Sequence, residues 1–213
     1  MISMRMEKLV AELTRLGVLK THAIIEAFKT IDRVDFVLPE YKKEAYTDIP
    51  LPIGGGQTIS QPYTVAFMLE LLNPERGNKI LDVGSGSGWT TALLAHIVGE
   101  KGKVFGVERI HSLKNFGEKN ILKYNFLKKG VVQFLNINAE EGLPAEAPFD
   151  RILSGASAKE IPLAWKNELR VGGRIVMPIR ESIHLFVKEP KGKFSEQKFP
   201  GFVFVPFVSD KKS

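Results

Sequence analysis

The 213-residue chain contains no cysteine, which excludes a disulfide framework, a thiolate nucleophile and any Cys-built zinc site. Histidine is scarce too. The four present, His22, His96, His111 and His184, show no HxxH or HExxH spacing, read as surface residues, and give no reason to expect a metal. Long apolar runs are also missing: the longest, such as residues 90–98, fall far short of the ~20 needed to cross a bilayer. Residues 1–8 mix charge with methionine and form no apolar signal core. A protein that is neither exported nor membrane-spanning, and therefore cytoplasmic, is expected. Charge of one sign is in modest excess, +6 with a pI of 9.4, but the lysines are dispersed, with short runs at Lys42-Lys43 and Lys128-Lys129. Without a basic stripe interleaved with aromatics, this reads as a solvated surface, and no nucleic-acid partner is expected.

What is present fits one folded unit. A chain 44% hydrophobic and 25% charged sits near the globular average, and its length suits one buried core. Leu9, Leu13 and Leu16 predict a first helix stopped at Gly17; Thr21 then reads as the N-cap of a second, ending near Ile31, with Ile24, Ile25 and Phe28 on one face. Residues 35–61 break into Pro, Gly and aromatics, a pattern of ordered, functional loops. Gln61-Pro62 predicts a helix start, with Val65, Met68, Leu69 and Leu72 buried and an end near Asn73-Pro74. Strands are then expected at residues 79–83, 103–108, 131–137, 150–154 and 173–177, and helices at 90–98, 112–127 and 163–169. That alternation predicts an α/β fold with a doubly wound, mostly parallel, Rossmann-like sheet. Residues 183–187 and 202–207, flanking a polar turn at 190–195, predict a C-terminal antiparallel hairpin. The whole divides as residues 1–62, a helical cap and loop; 63–180, an α/β core; and 181–213, hairpin and tail, within one domain. A monomer is expected.

The most informative stretch is Ile80-Leu81-Asp82-Val83-Gly84-Ser85-Gly86-Ser87-Gly88-Trp89, a strand running into three alternating glycines and a helix. Such glycines turn the backbone tightly and offer N–H groups to a ligand. The GxGxG spacing differs from the GxGxxG of dinucleotide sites and lacks the Lys-Ser/Thr of a phosphate loop. Asp82 would repel a pyrophosphate, yet suits a ligand bearing an ammonium and a sulfonium, as S-adenosylmethionine does. Glu108, ending the next strand, is placed to accept hydrogen bonds from ribose hydroxyls.

From residue 35 to residue 207 the chain resembles the protein-L-isoaspartate O-methyltransferases. The matching residues are Phe36-Val37, Ala45-Tyr46-Thr47-Asp48, Leu51-Pro52-Ile53-Gly54-Gly55-Gly56-Gln57-Thr58-Ile59-Ser60-Gln61-Pro62, the run from Asp82 to Gly88, Glu108-Arg109-Ile110, Pro148-Phe149-Asp150-Arg151-Ile152, Gly172-Gly173-Arg174 and Phe204-Val205-Pro206. The Gln-Thr-Ile-Ser-Gln-Pro run separates this family from other methyltransferases with the same glycine loop. The resemblance implies the S-adenosylmethionine-dependent methyltransferase fold and methyl transfer to the free α-carboxylate of isoaspartyl residues in damaged proteins and peptides, whose ester closes to a succinimide. It implies that Ser60, with Thr58, acts at the reacting carboxylate and that Gln57 and Ile59 flank the substrate. It further implies that Asp82, Gly84, Ser85, Gly86, Ser87, Gly88, Glu108, Arg109, Asn138 and Ala139 hold the cofactor. A carboxylate is ionised at neutral pH, so the scarcity of histidine is no obstacle. Thr58 and Ser60 are also well placed to cap the helix that opens at Gln61-Pro62.

Departures from the family pattern fall at four places. Asn138-Ala139 stands where Asp-Gly is usual, its amide oxygen still able to accept a hydrogen bond from an adenine amino group. Residues 154–159 replace a more apolar run, Glu168 replaces glutamine, and Arg180 replaces a glycine, which brings an extra guanidinium near the expected substrate cleft. Two other readings stay open at this point: a methyltransferase with another acceptor, RNA included, and a module that binds cofactor or peptide without turnover.

Overall fold

A computed structural model describes residues 4–206; residues 1–3 and 207–213, including Phe207 of the expected hairpin, lie outside the described residues. In chain order the elements are α1 (Met4–Arg15), α2 (His22–Thr30), β1 (Leu51–Gly54), β2 (Gln57–Ile59), α3 (Pro62–Leu72), β3 (Lys79–Val83), α4 (Trp89–Val98) and β4 (Lys103–Val107). They continue with α5 (His111–Ile121), β5 (Val132–Leu135), β6 (Phe149–Ser154), α6 (Leu163–Glu168), β7 (Leu169–Ile179), β8 (Ser182–Lys188) and β9 (Phe194–Pro200). Among the described residues no helix is long and apolar enough to cross a membrane.

One sheet runs in the order β5-β4-β3-β6-β7-β8-β9, its first five strands parallel and the last two antiparallel. The chain leaves β3 for β4 and β5 on one side and returns to β6 and β7 on the other. That reversal opens a crevice beyond the carboxyl ends of β3 and β6, the usual ligand position in such sheets. Strand alternation divides the core. Ile80, Val104, Val132 and Phe134 point to the face covered by α1 to α5. Leu81, Val83, Phe105, Val107 and Ile152 point to the other, where Trp165 of α6 is fully buried and its indole N–H donates to the Ala139 carbonyl at 2.7 Å.

Helix α1 buries Met6, Leu9, Val10 and Leu13 at helical spacing but ends at Arg15, which leaves Leu16, expected on its buried face, 51% exposed. Thr21 does sit at the N-cap of α2 but forms no side-chain cap. Its hydroxyl instead donates to Glu70 of α3 at 2.7 Å, whose carboxylate also takes the N–H groups of Lys20 and Thr21. Helix α5 stops at Ile121, short of the expected 127, because residues Leu122–Tyr124 tighten into a 3-10 turn and Asn125 takes a left-handed φ of 59°. His184, expected at the surface, is buried, stacked on Phe186 and bonded through Nδ1 to Glu196 at 2.6 Å.

The C-terminal hairpin forms, but among the described residues its second strand is Phe194–Pro200, ahead of the run expected from residue 202. That strand is the sheet edge and alternates little, most of its side chains being exposed. The aromatic run after it packs elsewhere: Phe202 stacks on Phe67 of α3 with ring centroids 5.2 Å apart.

Candidate active site

The glycine loop leaves β3 and enters α4 with Gly84, Gly86 and Gly88 all at positive φ, 71°, 49° and 87°. At Gly88 a Cβ would also lie 3.0 Å from the Gly117 carbonyl of α5, so α5 approaches the loop because both positions lack side chains. Asp82, second to last in β3, points under the loop and accepts the Thr91 hydroxyl at 2.6 Å. Burial pushes its carboxyl up to about 7, with the Glu108 charge adding to the shift and the Thr91 hydrogen bond opposing it. Glu108, just past β4, closes the loop from the side. One of its oxygens accepts the Gly86 N–H at 3.0 Å, and the other accepts the Ile110 N–H at 2.8 Å. A carboxylate offers about four acceptor positions, so each oxygen retains capacity for a ligand hydroxyl.

A second element roofs the loop. The β1–β2 ribbon turns through Gly54, Gly55 and Gly56, all at positive φ. It rests directly on the cofactor side: a Cβ on Gly86 would lie 3.1 Å from Ile53 Cδ1, and one on Gly55 would lie 3.4 Å from Ile110 Cδ1. Loop and roof enclose one cleft of about 1050 Å³ including its open mouth. Gln57, Thr58, Ile59, Ser60, Asp82, Gly84, Ser85, Gly86, Ser87, Glu108, Arg109, Asn138 and Ala139 all line it. Gly88 does not; it stands behind the loop at the N-cap of α4.

The cleft has the features a cationic, nucleoside-bearing cofactor requires. Acidic groups stand at Asp82 and Glu108, the loop has no side chains at its three glycines, and the buried Ser85 hydroxyl has no hydrogen-bond partner among the described residues. Asn138 Oδ1 accepts the Glu140 N–H at 3.1 Å, capping a 3-10 turn.

The family profile described as protein-L-isoaspartate(D-aspartate) O-methyltransferase matches residues 4–212. A protein-L-isoaspartate O-methyltransferase of Aeropyrum pernix is 40% identical, covering 95% of this chain and 79% of the relative. One of Thermococcus onnurineus is 40% identical, covering 94% and 92%. A Plasmodium falciparum chain with the same family designation, crystallised with S-adenosyl-L-homocysteine, superposes with a TM-score of 0.85 at 28% identity, covering 94% of this chain and 97% of that one. The chain belongs to the protein-L-isoaspartate O-methyltransferase family.

The structure corrects two expectations at these positions. Neither Thr58 nor Ser60 caps α3. The N-cap is Gln61, and the cap is supplied from a distance by Asp48, which accepts the Tyr63 N–H at 2.8 Å and the Gln61 side-chain amide at 3.0 Å. This leaves the Thr58 and Ser60 hydroxyls to the cleft. Arg180 does not line the cleft. It occupies the β7–β8 turn at a φ of 55°, exposed, with its carbonyl accepting the Ser157 hydroxyl at 3.3 Å; the left-handed backbone is what makes glycine suitable there. Glu168, by contrast, is buried away from the cleft, where its carboxylate accepts the Leu143 N–H at 2.9 Å and burial raises its pKa.

Sequence reasoning missed the residue that joins the two halves. Arg33 is fully buried and donates to four backbone carbonyls, those of Ala45, Thr47, Ile49 and Ser60, while its guanidinium lies 5.3 Å from the centre of the Trp89 ring. It also missed the apolar wall of the cleft, Ile53, Val65, Met68 and Leu153, and the strand-like Val205-Pro206 that closes it. The match at Phe204-Val205-Pro206 was the available signal for the last of these; for Arg33 there was none.

Proposed function

We propose that this chain transfers a methyl group from S-adenosylmethionine to the free α-carboxylate of L-isoaspartyl residues in damaged proteins and peptides. The ester would then cyclise to a succinimide that can reopen as aspartate. The observation that carries this reading is the seating of the Thr58/Ser60 ribbon on Gly86 and Ile110, which puts carboxylate-orienting hydroxyls and the cofactor loop on one cleft. When bound, S-adenosylmethionine supplies an electrophilic methyl group on a sulfonium.

The protein's part is placement. The substrate carboxylate is ionised at neutral pH, so no general base has to be built, and the poverty of titratable groups fits the task. The Ser60 and Thr58 hydroxyls can each donate to a carboxylate oxygen and leave the other lone pairs free to react. Ile53, Val65, Met68 and Leu153 keep water from the reacting groups. Because transfer joins an anion to a cation and yields neutral products, a dry wall disfavours the separated charges more than the transition state. Asp82 and Glu108 would hold the cationic and ribose ends, and Asn138 and Ala139 would border the adenine; the N–H groups of Gly84, Ser85, Gly86 and Gly88, expected to meet the methionyl carboxylate, are instead bonded within the chain to the Val107 carbonyl, Glu108 and the Ser85 carbonyl. Arg109, exposed at the rim, would flank the ribose. The same proposal takes the protein to be a monomer working in the cytoplasm.

The test is transfer of labelled methyl to a matched pair of peptides that differ only in isoaspartate against aspartate. Base-labile label on the isoaspartyl peptide alone is the expected result. Equal labelling of both, or label stable to base, would contradict the reading.

A further inference from the structure

A buried arginine normally answers a buried carboxylate, because an uncompensated charge is costly to desolvate. Arg33 does not follow that pattern. Its acceptors are four backbone carbonyls, at 2.8, 3.2, 2.9 and 3.1 Å for Ala45, Thr47, Ile49 and Ser60. Its side chain is wholly excluded from solvent, and its Nε has no hydrogen-bond partner among the described residues. Burial drives its pKa down to about 10, opposed by the charge of Asp48, so the group remains cationic at neutral pH.

The four carbonyls show what the guanidinium holds. They fall along residues 45–60, a stretch whose regular structure is the short β1–β2 ribbon. A segment with this little helix or sheet must find partners elsewhere for its carbonyls, and one planar, multi-donor group supplies four of them. The last belongs to Ser60, the residue proposed to orient the substrate carboxylate. The guanidinium face lies over Trp89, the first residue of α4 and the one that follows the glycine loop. Phe28 meets the same ring edge-on, with centroids 5.5 Å apart. Arg33 therefore touches the substrate segment through Ser60 and the cofactor segment through Trp89.

We infer that Arg33 is a positioning residue for methyl transfer: it fixes the Ser60 backbone, and so the Ser60 hydroxyl, relative to the cofactor loop. This rests on the proposed role of Ser60. Lysine at position 33 keeps the charge but has three donors on a single atom, which cannot span carbonyls on separate turns of the loop. Arg33→Lys should thus bind S-adenosylhomocysteine nearly as the wild type does and lose turnover at saturating peptide.

The decisive experiment is a double-mutant cycle of Arg33→Lys with Ser60→Ala, reading kcat and KM for an isoaspartyl peptide alongside S-adenosylhomocysteine affinity by calorimetry. Arg33→Lys is expected to lower kcat at least about tenfold with cofactor affinity within about twofold. The double variant should be no slower than the slower single, since residues acting through one another are not additive. A full multiplicative loss in the double variant would overturn the inference, as would wild-type kinetics in a folded Arg33→Lys protein. If Ser60→Ala alone keeps full turnover, the proposed role of Ser60 fails; a tenfold loss in Arg33→Lys beside it would mark that failure as separate from any failure at Arg33. Should Arg33→Lys not fold, Arg33→Gln, which carries no charge to desolvate, enters the same cycle. Loss of cofactor affinity in both variants would overturn the inference by making Arg33 a residue of the fold at large.

Discussion

The two walls of the cleft are built in opposite ways. The cofactor wall is carried on the ends of β3 and β4, where parallel pairing fixes Asp82 against Gly106 and against Leu153. Its acidic groups stand at the carboxyl ends of neighbouring paired strands. The substrate wall, residues 45–60, holds a short two-stranded ribbon and otherwise irregular chain. It is fixed from outside by Arg33, by the bond of Asp48 to the start of α3, and by contact of Ile53 with Gly86. One wall is specified by a motif, the other by long-range hydrogen bonds, and they should fail differently when altered.

The largest effect is expected at the cofactor wall. Gly86→Val places a β-branched residue at a φ of 49° and drives its Cβ toward Ile53, combining backbone strain of ~1–2 kcal/mol with a blocked roof. S-adenosylhomocysteine binding should become undetectable by calorimetry, and affinity within tenfold of wild type would break the distinction between the walls.

At the substrate wall, Asp48→Ala removes the acceptor for the Tyr63 N–H, a loss of about 0.5–2 kcal/mol for a cap of this kind. Thermal unfolding should shift down accordingly, with peptide KM raised and cofactor affinity retained. An equal loss of cofactor affinity would show that the walls are not separable.

Asp82 gives the comparison a pH dependence. Unfolded, it titrates near ~3.9; folded and without ligand, burial raises it to about 7. The folded state therefore holds the extra proton, and this group's contribution to stability, complete below about pH 4, is lost as pH rises towards 7. A cationic ligand favours the ionised form, so S-adenosylmethionine affinity should fall as pH drops from about 7 to about 5, by at most about tenfold per unit. Asp82→Asn should flatten that dependence, which titration calorimetry across the range would check; an unchanged slope would remove Asp82 from cofactor recognition.

The smallest effect is expected at Arg180. Replacing it with glycine relieves a left-handed φ of 55° while loosening the unfolded chain, two effects of opposite sign near ~1 kcal/mol each. Melting temperature, kcat and KM should stay close to wild type. A several-fold change in peptide KM would bring this guanidinium back to the substrate.

What could be read from the sequence follows the same division. The glycine loop, Asp82 and Glu108 were legible because each strand runs directly into its turn or acid, and the pairing of β3 with β4 puts both at the carboxyl ends of neighbouring strands. Ser60 was legible through the Gln-Thr-Ile-Ser-Gln-Pro run. The capping of α3 was misassigned to Thr58 and Ser60, because they stand beside the helix start in sequence while Asp48 reaches it in space. Arg33 was invisible: four carbonyls carry no side-chain identity, so no pattern of residues announces them. The edge strand β9 was misplaced because its side chains are mostly exposed, so hydrophobic alternation, which marks buried strands, was weak there and strong in the aromatic run beyond it.

The most direct test is to follow an isoaspartyl peptide by chromatography during incubation with the protein and S-adenosylmethionine. Conversion through the succinimide to the aspartyl peptide, dependent on S-adenosylmethionine and much slowed in Ser60→Ala, is the predicted result. An isoaspartyl peptide that stays unchanged, with cofactor binding demonstrated in the same preparation, would contradict the account.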